Sequence, residues 1–350
     1  MITIRPHLFR QFGDATGVNF YVLINQSLKH DIIIDRDGSY LSYQVLIYTG
    51  ENLDEVIEKT EEPAHIFVTS PDRFITSVDP ACIGYRKLAV MAANSTPMSK
   101  EQIQHFIKVM EKTDPLAQRN FADRFFSNLE VASTLQIADK QHNTFAEFLH
   151  QSDDYEWFEQ GGPLEWGQQQ IVPSGEVSVL PLAHGQYESS RHLAINGKIA
   201  LQGFPIVHAG KASVCRKEQE QIYKALSTLK DYAVIANVED GRIAHLQANH
   251  PGAEPARLML ESLFEVDASY RTIWELGFGI NTGLELWSGN AAMNEVYGGA
   301  NGVLHWGLGL TPYTQYHVDI LCPYTVVTTS DSPMAEPLIG CKLQAYKIAR

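Results

Sequence analysis

The chain has 350 residues, a net charge of −14, 44% apolar residues and 19% charged residues. This composition excludes extensive disorder, and the scattered basic residues exclude nucleic acid as the main partner, because phosphate binding needs clustered Lys and Arg. The sequence has neither an apolar run of about 18 residues nor a signal-peptide core, so we expect a cytoplasmic protein that does not insert into a membrane.

Residues 1–160 are predicted to form an N-terminal α/β domain. The apolar runs 31–35 and 40–48, separated by a turn at Asp37 and Gly38, are typical of a β-hairpin. Two further apolar runs, 65–68 and 88–91, predict buried strands.

Two amphipathic helices are predicted to follow these strands. Ser99 and Gln102 match a capping box, and apolar residues recur behind them at helical spacing. The second predicted helix covers 116–135. A Gly-Gly-Pro sequence ending at Pro163 then interrupts regular structure, and we place the domain boundary at residue 160.

Residues 161–350 are predicted to form a β-rich domain. Short apolar runs alternate there with Gly-containing turns, at 176–180, 195–201, 232–235 and 302–306, and helices are predicted at 217–229 and 255–264. The pair Asn196 and Gly197 predicts a hairpin turn. The predicted fold class is therefore α+β, with an α/β region followed by a β-rich domain.

Five residues of this second domain are candidate metal ligands. His317 and Asp319 lie two apart in a predicted strand, so both point to one face and offer a nitrogen and an oxygen ligand. His305 is followed by glycines that permit close approach of the backbone. Glu176 begins a predicted strand, and Glu275 lies among apolar and Gly residues, where a buried carboxylate must be paired or bind a metal.

In order and approximate spacing, these motifs resemble the thermophilic metallo-aminopeptidases of the aminopeptidase T and aminopeptidase S type. The resemblance covers residues 165–325 and is carried by a Pro-x-Gly-Glu-Val turn, a Glu-Leu-Gly element, a His before a Gly-rich strand, and a His-x-Asp triplet. It implies a β-rich domain of metallo-aminopeptidase type and a homodimer. It also implies a site for one or two divalent ions (Zn, Co or Mn) held by Glu176, Glu275, His305, His317 and Asp319.

The same resemblance implies a hydrolase that cleaves a peptide or amide bond with metal-activated water. Glu176 or Glu275 would accept the proton of that water. A Tyr hydroxyl would stabilise the oxyanion, and the family places this Tyr seven residues after the His. Pro312 occupies that position here, so Tyr313 and Tyr316 are the candidates.

Two other functions remain open at this point. The chain is also similar to the dihydroxypyridine dioxygenases, which implies one Fe(II) held by His305, His317 and Asp319 and a small metabolite, aromatic ones included, as substrate. Two further Glu residues are not needed for such a site. A non-catalytic binding protein on the same scaffold is the third interpretation. His184 and His208 lie near the candidate ligands in sequence, and we interpret each as a structural or surface residue, although either could contact substrate.

Overall fold

The computed structural model describes residues 1–50, 52–69, 75, 77–91, 95, 99–182, 192–211, 214–330 and 337–340. The chain divides into two compact units. One comprises Met1–Arg119, Gln160–Gly175 and Ala291–Met293, and the other comprises Asn120–Glu159, Glu176–Asn290 and Asn294–Arg350. The sequence predicts a single boundary at residue 160, whereas the segments of these two units alternate along the chain.

Helices and strands occur throughout the described residues. Up to residue 131 the elements are β1 (Ile2–Ile4), β2 (Asn19–Asn25), β3 (Ile32–Ile34), β4 (Ser42–Tyr48), α1 (Leu53–Glu58), β5 (Ala64–Thr69), α2 (Pro80–Ile83), β6 (Arg86–Met91), α3 (Lys100–Lys112) and α4 (Pro115–Val131). They continue with β7 (Leu135–Asp139), β8 (Thr144–Phe148), β9 (Tyr155–Gln160), β10 (Gln169–Val172), β11 (Glu176–Pro181), β12 (Ile195–Leu201), β13 (Phe204–Ala209), α5 (Arg216–Leu226), β14 (Val234–Glu239), β15 (Arg242–Ala248), α6 (Glu254–Val266), β16 (Ile273–Gly279), β17 (Val303–Leu308), β18 (Tyr316–Cys322) and β19 (Val326–Thr329). The α+β class predicted from the sequence is confirmed.

The first unit contains a five-stranded parallel sheet in the order β10-β6-β5-β2-β4. The two buried strands predicted from apolar runs are confirmed as β5 and β6. The predicted capping box is also confirmed, since Ser99 Oγ accepts from the Gln102 N–H at 3.2 Å and Gln102 Oε1 accepts from the Ser99 N–H at 2.8 Å. These contacts satisfy N–H groups that the first turn of α3 would otherwise leave unpaired.

The β-hairpin predicted for residues 31–48 is wrong. Its two runs do become β3 and β4, but β3 pairs in parallel with β1, and β4 pairs in parallel with β2 over seven residues. The Asp37 turn is stabilised locally, because the Tyr43 hydroxyl donates to Asp37 Oδ1 at 2.7 Å. An apolar run indicates that a segment forms a strand. Which strand it pairs with depends on hydrogen bonds and contacts with residues far away in the chain.

The second unit contains two six-stranded sheets. In one, all neighbouring strands pair antiparallel, and in the other the neighbours from β13 through β11 do so. One has the order β15-β14-β12-β8-β7-β19. The other, β13-β18-β17-β16-β11-β9, is called here the ligand sheet. One apolar core joins residues of both sheets with the inward faces of α4, α5 and α6. No helix in the described ranges is both long and apolar enough to cross a membrane.

The hairpin turn predicted at Asn196 and Gly197 is also wrong, because both residues lie inside the continuous strand β12. A Cβ at Gly197 would lie 2.4 Å from the Phe145 carbonyl oxygen, and the residue has a φ of +131°. Close approach of β8, rather than a turn, therefore requires glycine at this position.

Candidate metal centre

The ligand sheet has two chemically different faces. Along β18, Tyr316, Val318 and Ile320 belong to the apolar core, whereas the intervening His317 and Asp319 point to the opposite face. Successive side chains of a strand alternate between faces, so the His-x-Asp spacing delivers both groups to the same side. We call the side that carries these two residues the ligand face.

Strand register places the other candidate ligands on this same face. Directly opposed residues in an antiparallel pair share a face. Glu275 is opposite Gly307, which is in turn opposite Asp319. Gly277 and Gly279 follow Glu275 on the same face of β16. His305 is opposite Gly277, and Glu176 is opposite Gly279. Neighbouring strands of one sheet thus bring together residues that are more than 140 positions apart in the sequence.

The structure brings all five predicted ligands into one largely buried cluster. Glu176 Oε1 lies 3.2 Å from His305 Nε2. His317 Nε2 lies 3.4 Å from Glu275 Oε2 and 3.0 Å from Asp319 Oδ1. His305 and Asp319 are 0% exposed, so the polar groups at the centre of the cluster are removed from bulk water.

Sequence reasoning missed two members of this cluster. His208, which we interpreted as a structural or surface residue, is opposite His317 in the β13–β18 pair. Its Nε2 lies 2.8 Å from Asp319 Oδ2 and 3.6 Å from Glu295 Oε2. A strand pattern around His208 could have placed it on a ligand face, but Glu295 lies in the connection between β16 and β17, where periodicity gives no signal.

Gly307 makes room for the ligands on both neighbouring strands. A Cβ at this position would lie 2.6 Å from the Glu275 Cβ atom and 3.1 Å from His317 Nε2. Real Cβ atoms do not approach another carbon so closely, so any larger residue would displace Glu275. Of the two glycines after His305, Gly307 therefore creates space on the ligand face, whereas a Cβ at Gly309 would meet Tyr270 of the apolar core.

Several buried polar atoms of the cluster lack hydrogen bonds of acceptable geometry despite their short separations. The buried atoms without such a partner include Glu176 Oε1, His208 Nε2, both ring nitrogens of His305, His317 Nε2 and both carboxylate oxygens of Asp319. Buried polar atoms are almost always paired in folded proteins. Imidazole nitrogens and carboxylate oxygens that converge without pairing fit a centre that binds divalent cations.

Electrostatics within the cluster agree with this fit. Burial and the nearby Glu176 raise the pKa of Glu275 to about 7. Burial, followed by Glu176, raises the pKa of Glu295 well above its usual value. Burial lowers the pKa of His305, but the carboxylates of Glu176, Asp319 and Glu275 outweigh it, so that pKa rises to about 9. The carboxylates repel one another, and cations between them would relieve that repulsion.

Two groups of side chains have ligand atoms close enough to share an ion. His208, His317 and Asp319 form one group, and Glu275, Glu295, His305 and Asp319 form the other. Within each group the ligand atoms lie within 4.8 Å of one another. Asp319 is common to both groups.

The chain shares its fold with a known dioxygenase. It is similar to the structure of 2,5-dihydroxypyridine dioxygenase from Pseudomonas putida KT2440, with a TM-score of 0.54 and 13% identity over 97% of this chain and 95% of that chain. It is also similar to wild-type AmpT from Thermus thermophilus, with a TM-score of 0.42 and 12% identity over 92% of each chain. No family model and no curated protein sequence matches the chain.

The two candidate oxyanion donors are not brought into the cluster. Tyr316 lies on the core face of β18, and its hydroxyl donates to Glu218 Oε2 at 2.5 Å. The Tyr313 side chain is 65% exposed. His184, the other histidine considered from the sequence, lies outside the described residues.

Proposed function

We propose that the chain is a metal-dependent hydrolase that holds two divalent ions on the ligand face. The observation that carries this proposal is the convergence of four carboxylates, those of Glu176, Glu275, Glu295 and Asp319, with three imidazoles in a largely buried cluster. With two divalent ions bound all four carboxylates can ionise, because their formal charge of −4 then equals the charge of the two ions. Without ions, protons hold part of this charge, as the raised pKa values of Glu275, Glu295 and His305 indicate. Buried charge is tolerated only when it is compensated.

Bound divalent ions would supply a Lewis acid for a carbonyl oxygen and lower the pKa of a coordinated water to about 7. The side chains of the ligand face fix where that chemistry would occur. His305 and Asp319 are anchored on adjacent strands and fully buried, so their positions are held by the sheet rather than by a loop. Ligands on rigid elements keep their geometry through a reaction.

Glu176 is the candidate proton acceptor. It belongs to neither group of ligand atoms that can share an ion, yet its Oε1 lies 3.2 Å from His305 Nε2. A carboxylate near the ligand groups that is not itself needed as a ligand could take a proton from an attacking water. Glu275 belongs to a ligand group, so the role of general base falls to Glu176 in this proposal.

A second candidate function is that of a non-haem iron oxygenase. His208, His317 and Asp319 form a two-His, one-carboxylate set, which is the ligand type of non-haem Fe(II) oxygenases. This set differs from the one predicted from the sequence, because His208 takes the place of His305. The carboxylates beyond the triad favour the hydrolase, since Glu275 and Glu295 belong to a second ligand group that a single Fe(II) held by the triad would not use.

Metal analysis and two assays test the proposal. The protein is purified without chelator, its metal content is measured by mass spectrometry, and apo protein is reloaded with Zn, Co, Mn or, without oxygen, Fe(II). We expect two ions per chain, a higher melting temperature after loading, and cleavage of a peptide or amide substrate. One iron with oxygen-dependent turnover would support the oxygenase instead. Protein that binds no divalent ion after any loading would refute both enzymes and support a binding protein.

A further inference from the structure

We propose that the cations occupy two chemically unlike positions on the ligand face, and that His208 and Glu295 create the difference. The first, called the nitrogen-rich position, is formed by His208, His317 and Asp319. The second, called the oxygen-rich position, is formed by Glu275, Glu295, His305 and Asp319. The inference rests on the metal centre of the proposed function and assigns ligands beyond the five predicted from the sequence.

The nitrogen-rich position is built by two neighbouring strands. His208 and His317 are directly opposed in the β13–β18 ladder, and their ring centroids are 5.2 Å apart. The Nε2 atoms of both rings are buried and lack a hydrogen-bond partner. Both backbone groups of the residue before His208 are paired, because Val207 N–H donates to Asn290 Oδ1 at 2.7 Å and Gln219 Nε2 donates to the Val207 carbonyl at 2.6 Å.

The oxygen-rich position draws one ligand from outside the sheet. Glu275 and His305 come from adjacent strands, and Glu295 comes from the connection between those strands. That connection is tied to the end of β16, since Asn281 N–H donates to the Val296 carbonyl at 3.0 Å and Asn281 forms a β-bridge with Tyr297. The backbone on the C-terminal side of Glu295 is thereby fixed against the sheet.

Asp319 connects the two positions. Its Oδ2 lies 2.8 Å from His208 Nε2, and its Oδ1 lies 3.0 Å from His317 Nε2. The residue is fully buried and neither oxygen has a hydrogen-bond partner. Asp319 would therefore serve as a ligand at both positions if both were filled.

The two ligand sets suit different ions. Two imidazoles and one carboxylate suit Zn, Co and Fe(II), whereas three carboxylates and one imidazole are closer to the oxygen-rich surroundings that Mn prefers. We therefore expect the two positions to differ in affinity for Co(II) and in the visible absorption of the bound Co(II).

Titration of apo protein with Co(II), followed by calorimetry and visible absorption, tests this assignment. We expect two separable equivalents in the wild-type protein. His208→Gln should remove the step that belongs to the nitrogen-rich position and change the Co(II) spectrum. Glu295→Gln should leave that step in place and weaken the other at least about tenfold, because one of its carboxylate ligands is lost.

Matched controls are His245→Gln and Glu265→Gln, which change exposed residues of β15 and α6 and should titrate like the wild-type protein. Circular dichroism establishes that each variant is folded. Two wild-type equivalents in both His208→Gln and Glu295→Gln would overturn the inference, as would loss of the same step in both. Wild-type protein that binds two Co(II) but cleaves no amide would refute the hydrolase and leave the inference standing.

Discussion

Gly277 faces His305 so closely across the β16–β17 pair that a Cβ at position 277 would lie 2.0 Å from His305 Nε2. Gly277→Ala should therefore push the imidazole out of the cluster and lower the affinity of the oxygen-rich position at least about tenfold. The measurement is Co(II) affinity by calorimetry, with the melting temperature of the apo variant as control. Wild-type affinity in a folded Gly277→Ala protein would contradict the placement of His305 among the ligands.

Replacement of Glu176 separates proton transfer from metal binding. Glu176→Gln keeps the shape of the side chain but removes its basicity, so we expect near-normal metal content and a fall in kcat of about 10² or more. Glu275→Gln is the matched variant, and it should lower metal content because Glu275 belongs to a ligand group. Metal analysis and steady-state kinetics on both variants make the comparison. Normal turnover by Glu176→Gln would remove Glu176 from the mechanism.

Tyr316→Phe distinguishes a structural hydroxyl from a catalytic one. The Tyr316 hydroxyl donates to Glu218 on the core face of β18. Its removal should lower the free energy of unfolding by about 1 kcal/mol and leave kcat unchanged. An oxyanion donor would instead lower kcat by about 10² to 10³. Tyr313→Phe, at the exposed candidate, is assayed beside it. A loss of kcat without a loss of stability in Tyr316→Phe would restore the role expected from the sequence.

His65 makes the stability of the first unit depend on pH. This residue is fully buried in β5, stacks on Phe12 with a centroid distance of 4.8 Å, and has its Nδ1 3.0 Å from the Tyr40 hydroxyl. Burial, with a smaller contribution from Lys87, lowers its pKa from 6.5 to about 3. The unfolded chain therefore binds a proton at this position more readily than the folded chain does.

The sign of the effect follows from that difference in pKa. The contribution of His65 to stability is complete above pH 6.5 and is lost as the pH falls from 6.5 toward 3, by about 1.4 kcal/mol per pH unit. The free energy of unfolding of apo protein can be measured by urea unfolding between pH 4 and pH 7.5. Plotted against pH, it should have a shallower slope for His65→Gln than for the wild-type protein. His245→Gln should keep the wild-type slope. Equal slopes in all three proteins would show that His65 does not titrate on unfolding.

The sequence predicted those parts of the site that depend on local periodicity. His317 and Asp319 share a face because strand side chains alternate, and this holds whichever strand is the neighbour. A lone Glu among apolar residues, such as Glu275, signals a buried charge that needs compensation. The capping box at Ser99 was equally predictable, because both of its partners lie within one helical turn.

The remaining features depend on pairing between distant residues. The partner of β4 is β2, not β3, and no local pattern contains that choice. Gly197 is required by contact with β8 rather than by a turn. His208 joins the cluster only because β13 lies beside β18, and Glu295 joins it through a connection without periodicity. A residue that joins the site only through contacts between distant strands cannot be recognised from the local pattern of a single sequence.

The two-sided character of β18 links the stability of the fold to the arrangement of the ligands. A shift of this strand by one residue against β17 would turn His317 and Asp319 into the apolar core and expose Val318 and Ile320 in their place. The shifted register would both expose apolar side chains and bury unpaired charge, so it would be less stable. The separation of apolar and polar side chains onto opposite faces of β18 therefore favours the β17–β18 register in which the metal-binding groups meet. This preference acts before any ion is bound.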